Sequence, residues 1–80
     1  MEGDVKMFHR DIVEYVKKKF PVGTRVELVK MDDTHAPPVG MRGIVTLVDD
    51  IATIHVLWDN GQNLGSAWGE DIVKVVEDEF

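Results

Sequence analysis

Cysteine is absent from this chain of 80 residues. That absence removes disulfide staples, thiolate metal sites and cysteine nucleophiles together, and with them the usual framework of a small secreted domain. An intracellular setting is the expectation. No apolar run approaches the roughly 18 residues of a membrane-spanning helix, and Met1-Glu2-Gly3-Asp4 has neither the basic start nor the apolar stretch of a signal peptide. A soluble, unprocessed chain with no membrane role is therefore expected. Serine occurs once, at Ser66, and aromatic residues make up only 8% of the chain, which leaves little material for a nucleophilic site or for stacking nucleobases. Positive charge is scarce where it would matter for phosphate binding. The net charge is −6, which has the wrong sign for a generic grip on nucleic-acid backbones.

What is present suffices for one folded domain over residues 1–80 and no second one. Apolar residues make up 44% and charged residues 30% of the chain, close to ordinary globular protein. Val5, Phe8, Ile12, Tyr15 and Val16 form a stripe with helical spacing, so a helix is predicted over about 5–19. Asp4 is its expected cap, Lys17-Lys18-Lys19 suit the carboxyl end of the helix dipole, and Phe20-Pro21 stops it. Past Pro21 the apolar period changes to two. Short β-branched runs are predicted as strands near 25–30, 43–48, 53–58, 63–66 and 72–76, the pattern of a small all-β barrel or sandwich. Asp32-Asp33-Thr34-His35-Ala36-Pro37-Pro38 reads as a long loop, Asp49-Asp50 as a break, and Asp59-Asn60-Gly61 as a tight hairpin turn.

Charge is unevenly spread over this layout. Residues 49–80 hold eight acidic groups and one basic group, a balance of −7, against +1 for residues 1–20 and 0 for residues 21–48. If the last hairpin and the acidic tail at 77–80 lie together, Asp49, Asp50, Asp59, Glu70, Asp71, Glu77, Asp78 and Glu79 make one acidic face.

Specific motifs stand on these strands and turns: Phe20-Pro21-Val22-Gly23-Thr24-Arg25-Val26-Glu27-Leu28, Ala36-Pro37-Pro38-Val39-Gly40, Gly43-Ile44-Val45, Val48-Asp49-Asp50-Ile51 and Trp58-Asp59-Asn60-Gly61. As a set they resemble domain of unknown function family 4314, of bacteria and phages, over roughly residues 15–72. The resemblance implies a compact SH3-like barrel over about 22–76, carried by phages and mobile elements, and no activity that could be transferred. It also suggests a bacterial or infected-host cytoplasm. Thr34-His35, Leu57 and Trp68 depart from the family's usual pattern and mark where a specialised contact could sit. Gly40-Met41-Arg42-Gly43-Ile44-Val45 is weakly similar to the start of KOW-type domains, which bind RNA or ribosomal protein.

The chemical candidates are modest. Asp32, Asp33 and His35 share a loop, but their spacing matches no calcium-loop pattern and aspartates are frequent in turns, so no metal and no cofactor are expected. A Ser66, His55 and Asp71 set could be imagined, yet no nucleophile elbow surrounds Ser66 and no catalysis is expected. Trp58 alternates with Ile54 and Val56 and is predicted inward, whereas His55 and Leu57 alternate outward, and His9 falls on the polar side of the helix. Trp68, between glycines and beside Glu70 and Asp71, is either a lid over the end of the barrel or an anchor for a partner.

The expectation taken forward is an α+β domain, an amino-terminal amphipathic helix packed on a five-stranded SH3-like β-barrel, acting as a non-catalytic protein-binding module. Its expected partner is a protein with a basic surface, met through Trp68, Glu70, Asp71, Leu57, His55 and Asp59, with the chain itself a monomer or weak dimer. A sharper form is a phage or mobile-element inhibitor of a basic nucleic-acid-binding host protein. The alternatives are a KOW-like nucleic-acid binder and a structural or regulatory accessory domain.

Overall fold

The computed structural model describes residues 9–77. One helix, α1 (Arg10–Lys19), precedes five strands, β1 (Arg25–Lys30), β2 (Arg42–Val48), β3 (Thr53–Trp58), β4 (Asn63–Ala67) and β5 (Ile72–Val75). The strands form one antiparallel sheet in the order β4-β3-β2-β1-β5. All five match their predicted positions to within one residue at each end. Alternation and turn chemistry are local properties, and here nothing overrides them.

The helix differs from its expectation in two ways. It starts at Arg10 instead of near residue 5, because His9 has the extended backbone of a cap and its Nδ1 accepts a hydrogen bond from the Asp11 N–H at 3.1 Å. The expected cap Asp4, and Val5 and Phe8 of the expected stripe, lie outside the described residues. The buried face is also rotated. Val13 and Val16 are buried, followed by Phe20 at the carboxyl cap, whereas Ile12 and Tyr15 are exposed. Val16 of the predicted stripe is buried, but it is joined by Val13 and Phe20, three and four residues away, in place of Ile12 and Tyr15. Phe20 closes the helix by donating its N–H to the Val16 carbonyl, and Gly23 then donates to the Val45 carbonyl at 2.8 Å, which ties the connection to the sheet.

The core lies between this helical stripe and the inward faces of the strands, with Trp58 its largest fully buried side chain, beside Phe20, Leu28, Ile54 and Val56. Trp58 faces inward as its alternation predicted, and its indole N–H donates to the Leu64 carbonyl at 3.0 Å, so its polar atom is satisfied within the core. A bulge between Val45 and Leu47 bends β2. The proline loop is braced at its base, where Leu28 N–H donates to the Met41 carbonyl and Gly40 N–H to the Leu28 carbonyl, and at its tip, where Gln62 Nε2 donates to the His35 carbonyl.

The sheet does not close. β4 and β5 share no ladder and meet only through their connecting turn, with a single bridge between Trp68 and Asp71. Both strands are therefore edges, and the two turns that link β2 to β3 and β4 to β5 come together at one end of the sheet.

Candidate functional site

That end is organised around Asp49. Its Oδ1 accepts the N–H groups of Ile51 and Thr53, at 3.1 and 2.9 Å, while its Oδ2 lies 2.8 Å from His55 Nε2. The turn it closes brings buried Ala52 to a positive φ of 60°, a conformation that non-glycine residues seldom adopt. Ala52 in turn accepts the Trp68 N–H at 3.1 Å, which links the two turns. Burial alone raises the Asp49 pKa, but the bond from His55, the amides of Thr53 and Ile51 and the charge of the imidazolium outweigh it, and the carboxyl titrates below the ordinary range.

The lowered pKa makes the stability of the fold depend on pH. Because Asp49 has a lower pKa folded than unfolded, its contribution is complete above the unfolded value, about 3.9, and disappears as the pH falls through the folded one. Asp49→Ala should lower the melting temperature at neutral pH and flatten its dependence on pH below about pH 4. Thermal melts of both proteins from pH 2 to 7 check this, and parallel acid limbs would show that Asp49 contributes nothing through its charge.

Trp68 begins the turn between β4 and β5. It is half-buried, with its ring edge-on to Tyr15 at 5.8 Å between centroids and to Phe20 at 6.3 Å. It therefore fastens the helix to the sheet while also forming one wall of a groove of about 460 Å3. Phe20, Ile54 and Val73 line its apolar part, and Lys19, Lys30, Glu70 and Asp71 supply its charged lining. Asp71 is partly occupied, since its Oδ2 accepts the Ala67 N–H at 2.9 Å and braces the turn. Glu70 is exposed.

The structure brings Trp68, Glu70 and Asp71 together and sets other expected contact residues apart. His55 lies midway along β3 but is drawn to the same end by Asp49. It is half-buried and paired, more engaged than a plain surface residue. Leu57 is exposed on the outer face, opposite exposed Ile44 of β2. Asp59 lies past the far end of β3, six residues or roughly 20 Å from Thr53, in a bidentate pair with Arg25 at 2.8 and 3.0 Å. The hydrogen bonds from Arg25 outweigh desolvation and hold Asp59 below the usual carboxylate range. One continuous acidic face does not form among the described residues. Asp49, Asp50, Glu70 and Asp71 gather at the Trp68 end, with Asp50 3.3 Å from Lys17 Nζ, and Asp59 belongs to the opposite end. Asp78 and Glu79 lie outside the described residues.

The imagined set of Ser66, His55 and Asp71 is not assembled. Ser66 pairs with Ile54 on the inward face and is fully buried, while His55 pairs with Gly65 on the outward face. Ser66 Oγ has no hydrogen-bond partner among the described residues. No group of three or more His, Asp or Glu side chains among them is arranged to hold a metal. In the proline loop, Asp33 Oδ1 accepts the His35 N–H at 2.7 Å, the turn-closing use of aspartate.

Sequence reasoning missed the clasp between Asp49 and His55 and the part played by Phe20, Lys19 and Lys30 in the groove. The clasp had a signal, an aspartate at the end of one strand and a histidine at the third position of the next. The groove had none, because it depends on how the helix docks.

Among the described residues, one helix laid on an open, five-stranded antiparallel sheet defines a small α+β domain. The chain matches the family model described as Domain of unknown function (DUF4314) over residues 9–76, and it belongs to that family. No curated protein and no solved structure matches it. No helix among the described residues is long and apolar enough to cross a membrane.

Proposed function

We propose that the chain is a non-catalytic protein-binding module, an SH3-like barrel in design, that receives a basic protein surface at the Trp68 end of its sheet. The observation that carries this reading is Trp68 itself, a half-buried indole on the wall of a groove, with exposed Glu70 beside it and Asp49, Asp50 and Asp71 nearby. An aromatic in a partly desolvated groove supplies affinity, and surrounding carboxylates steer a cationic partner. The strand order and the long loop between β1 and β2 support the barrel reading. In its sharper form the module is a phage or mobile-element inhibitor, acting in the cytoplasm of the host, that occupies the basic channel of a nucleic-acid-binding protein. Direct phosphate binding finds less support, because Arg42 and Lys74 both lie on Glu27, at 3.2 and 3.7 Å, and Arg25 lies on Asp59.

The test begins with capture of partners from a bacterial lysate on the immobilised chain, followed by affinity measurements on the captured protein. Trp68→Ala should weaken binding by about 2 kcal/mol or more, some thirtyfold. Because Trp68 also packs on Tyr15 and Phe20, the same sample must be melted, so that affinity refers to folded protein. Glu70→Lys, at an exposed position, should leave the melt unchanged, slow association and reduce its salt dependence. Full affinity in both variants would defeat the proposal and leave Trp68 as a lid that only fastens the helix.

A further inference from the structure

The edge strand β4 carries no charged side chain, no proline and no register shift. Exposed edges are normally blunted by charged side chains, proline or bulges, because their unpaired backbone groups accept any passing strand. The other edge, β5, is four residues long and carries Lys74, with a register shift against β1. Between Asp59 and Glu70 there are ten consecutive uncharged residues, 60–69, in a chain that is 30% charged overall, and β4 lies within them with no proline and no register shift against β3.

Its open backbone groups can be identified. Trp58 N–H donates to the Gln62 carbonyl, and antiparallel ladders alternate, so Gln62, Leu64 and Ser66 turn their backbone groups toward β3. Asn63, Gly65 and Ala67 turn theirs outward. Ala67 is already engaged, its N–H by the Asp71 carboxylate and its carbonyl by the Glu70 and Asp71 amides. Among the described residues, Asn63 and Gly65 are left with open donors and acceptors.

We propose that β4 is the edge through which two copies of this chain pair, antiparallel, about a two-fold axis at Leu64. In that register Asn63 of each copy faces Gly65 of the other, so the open donors and acceptors of both copies form four hydrogen bonds. Leu64, half-buried at the margin of the core, meets its own counterpart in a non-hydrogen-bonded pair, where side chains approach most closely. Each Asn63 side chain lies over a residue with no side chain. A Cβ at Gly65 would fall 2.6 Å from Thr53 Cγ2, so a side chain there requires Thr53 to move.

Symmetry favours a second copy as the occupant. Two chains of net charge −6 repel over most of their surfaces and least along this uncharged stretch, and antiparallel pairing complements itself by symmetry. A pair of five-residue strands buries less than the roughly 1,200 Å2 at which stable interfaces begin, so the dimer is weak and depends on concentration.

Sedimentation equilibrium of the whole chain from micromolar to millimolar concentration should show the average mass rising toward two copies. Asn63→Pro removes an amide that faces away from β3, so the monomer's ladder survives while two of the four intermolecular bonds are lost, and the rise in mass should disappear. Asn63→Lys and Asn63→Glu provide a test of register independent of any effect of proline on folding. The two copies of residue 63 are diagonal neighbours across the axis, within reach of long side chains. The mixture of these variants should therefore associate several-fold more tightly than either alone. A wild-type mass of one copy at every concentration would overturn the proposal, as would a mixture that associates no better than its components. Protection of the Asn63 and Gly65 amides from hydrogen exchange by another protein, but not by raised concentration of the chain, would assign the edge to a different partner and equally overturn it.

Discussion

Removal of residues 1–19 is expected to lower the melting temperature by roughly 15 °C or more, and to leave a chain that unfolds with little cooperativity. The helix supplies Val13 and Val16 to the core, both buried, and its last turn covers Phe20, which is 1% exposed in the intact protein. Burying an aliphatic side chain of this size contributes about 1.5–3 kcal/mol, so the two valines alone account for about 3 kcal/mol. In a domain of this length each kcal/mol corresponds to about 4–8 °C. Losing Tyr15 also strips the edge-on contact from Trp68. A remainder of some 60 residues has little core with which to compensate. Calorimetry on the truncated and full-length chains decides the matter, and an unchanged melt would mean that the helix is an independent arm whose apolar face serves another purpose.

Gly43→Ala is expected to be nearly as damaging, although it adds one methyl group. Gly43 is buried in β2 opposite Trp58. A Cβ built there would lie 2.6 Å from Val56 Cγ1, 2.7 Å from the Leu57 carbonyl oxygen and 3.0 Å from Trp58 Cα. Two of these atoms belong to the backbone of β3, so no side-chain rotation relieves the contact, and the strands must separate where Trp58 anchors the core. Overpacking of this kind costs about 1–3 kcal/mol and occasionally more, and the rigidity of the obstruction puts Gly43→Ala at the upper end. Urea titration should show a lower midpoint with an unchanged slope. Val39→Ala, at a position 71% exposed, should leave the midpoint in place. Equal midpoints for the two variants would show that β2 and β3 move apart freely.

The sequence alone determined what depends on neighbours along the chain. Strand positions followed from alternation and turn residues, and Trp58 inward with Leu57 outward followed from the two-residue period of β3. The hairpin at Asp59-Asn60-Gly61 followed from residues that accept tight turns, and Gly61 does adopt a positive φ of 92°. The family was also legible, because its motifs lie in these same turns.

Only the tertiary structure decided what depends on one element meeting another. Val16 was legible as a buried position, but whether Ile12 and Tyr15 or Val13 and Phe20 would join it was not, and docking against the sheet selected the second pair. The acids of residues 49–80 looked like one face in a linear count. Strand length carried Asp59 to the far end, and ion pairs with Arg25 and Lys17 engaged Asp59 and Asp50. The groove beside Trp68 exists only because Phe20 from the end of the helix and Val73 from the last strand converge on it. The bareness of β4 was written in ten uncharged residues, but that it is an edge was not, since strand order is set by long-range pairing. Local patterns are enforced by backbone geometry within a few residues, whereas docking, pairing order and charge neutralisation are settled by contacts between residues far apart in the chain, for which the sequence holds no local signal.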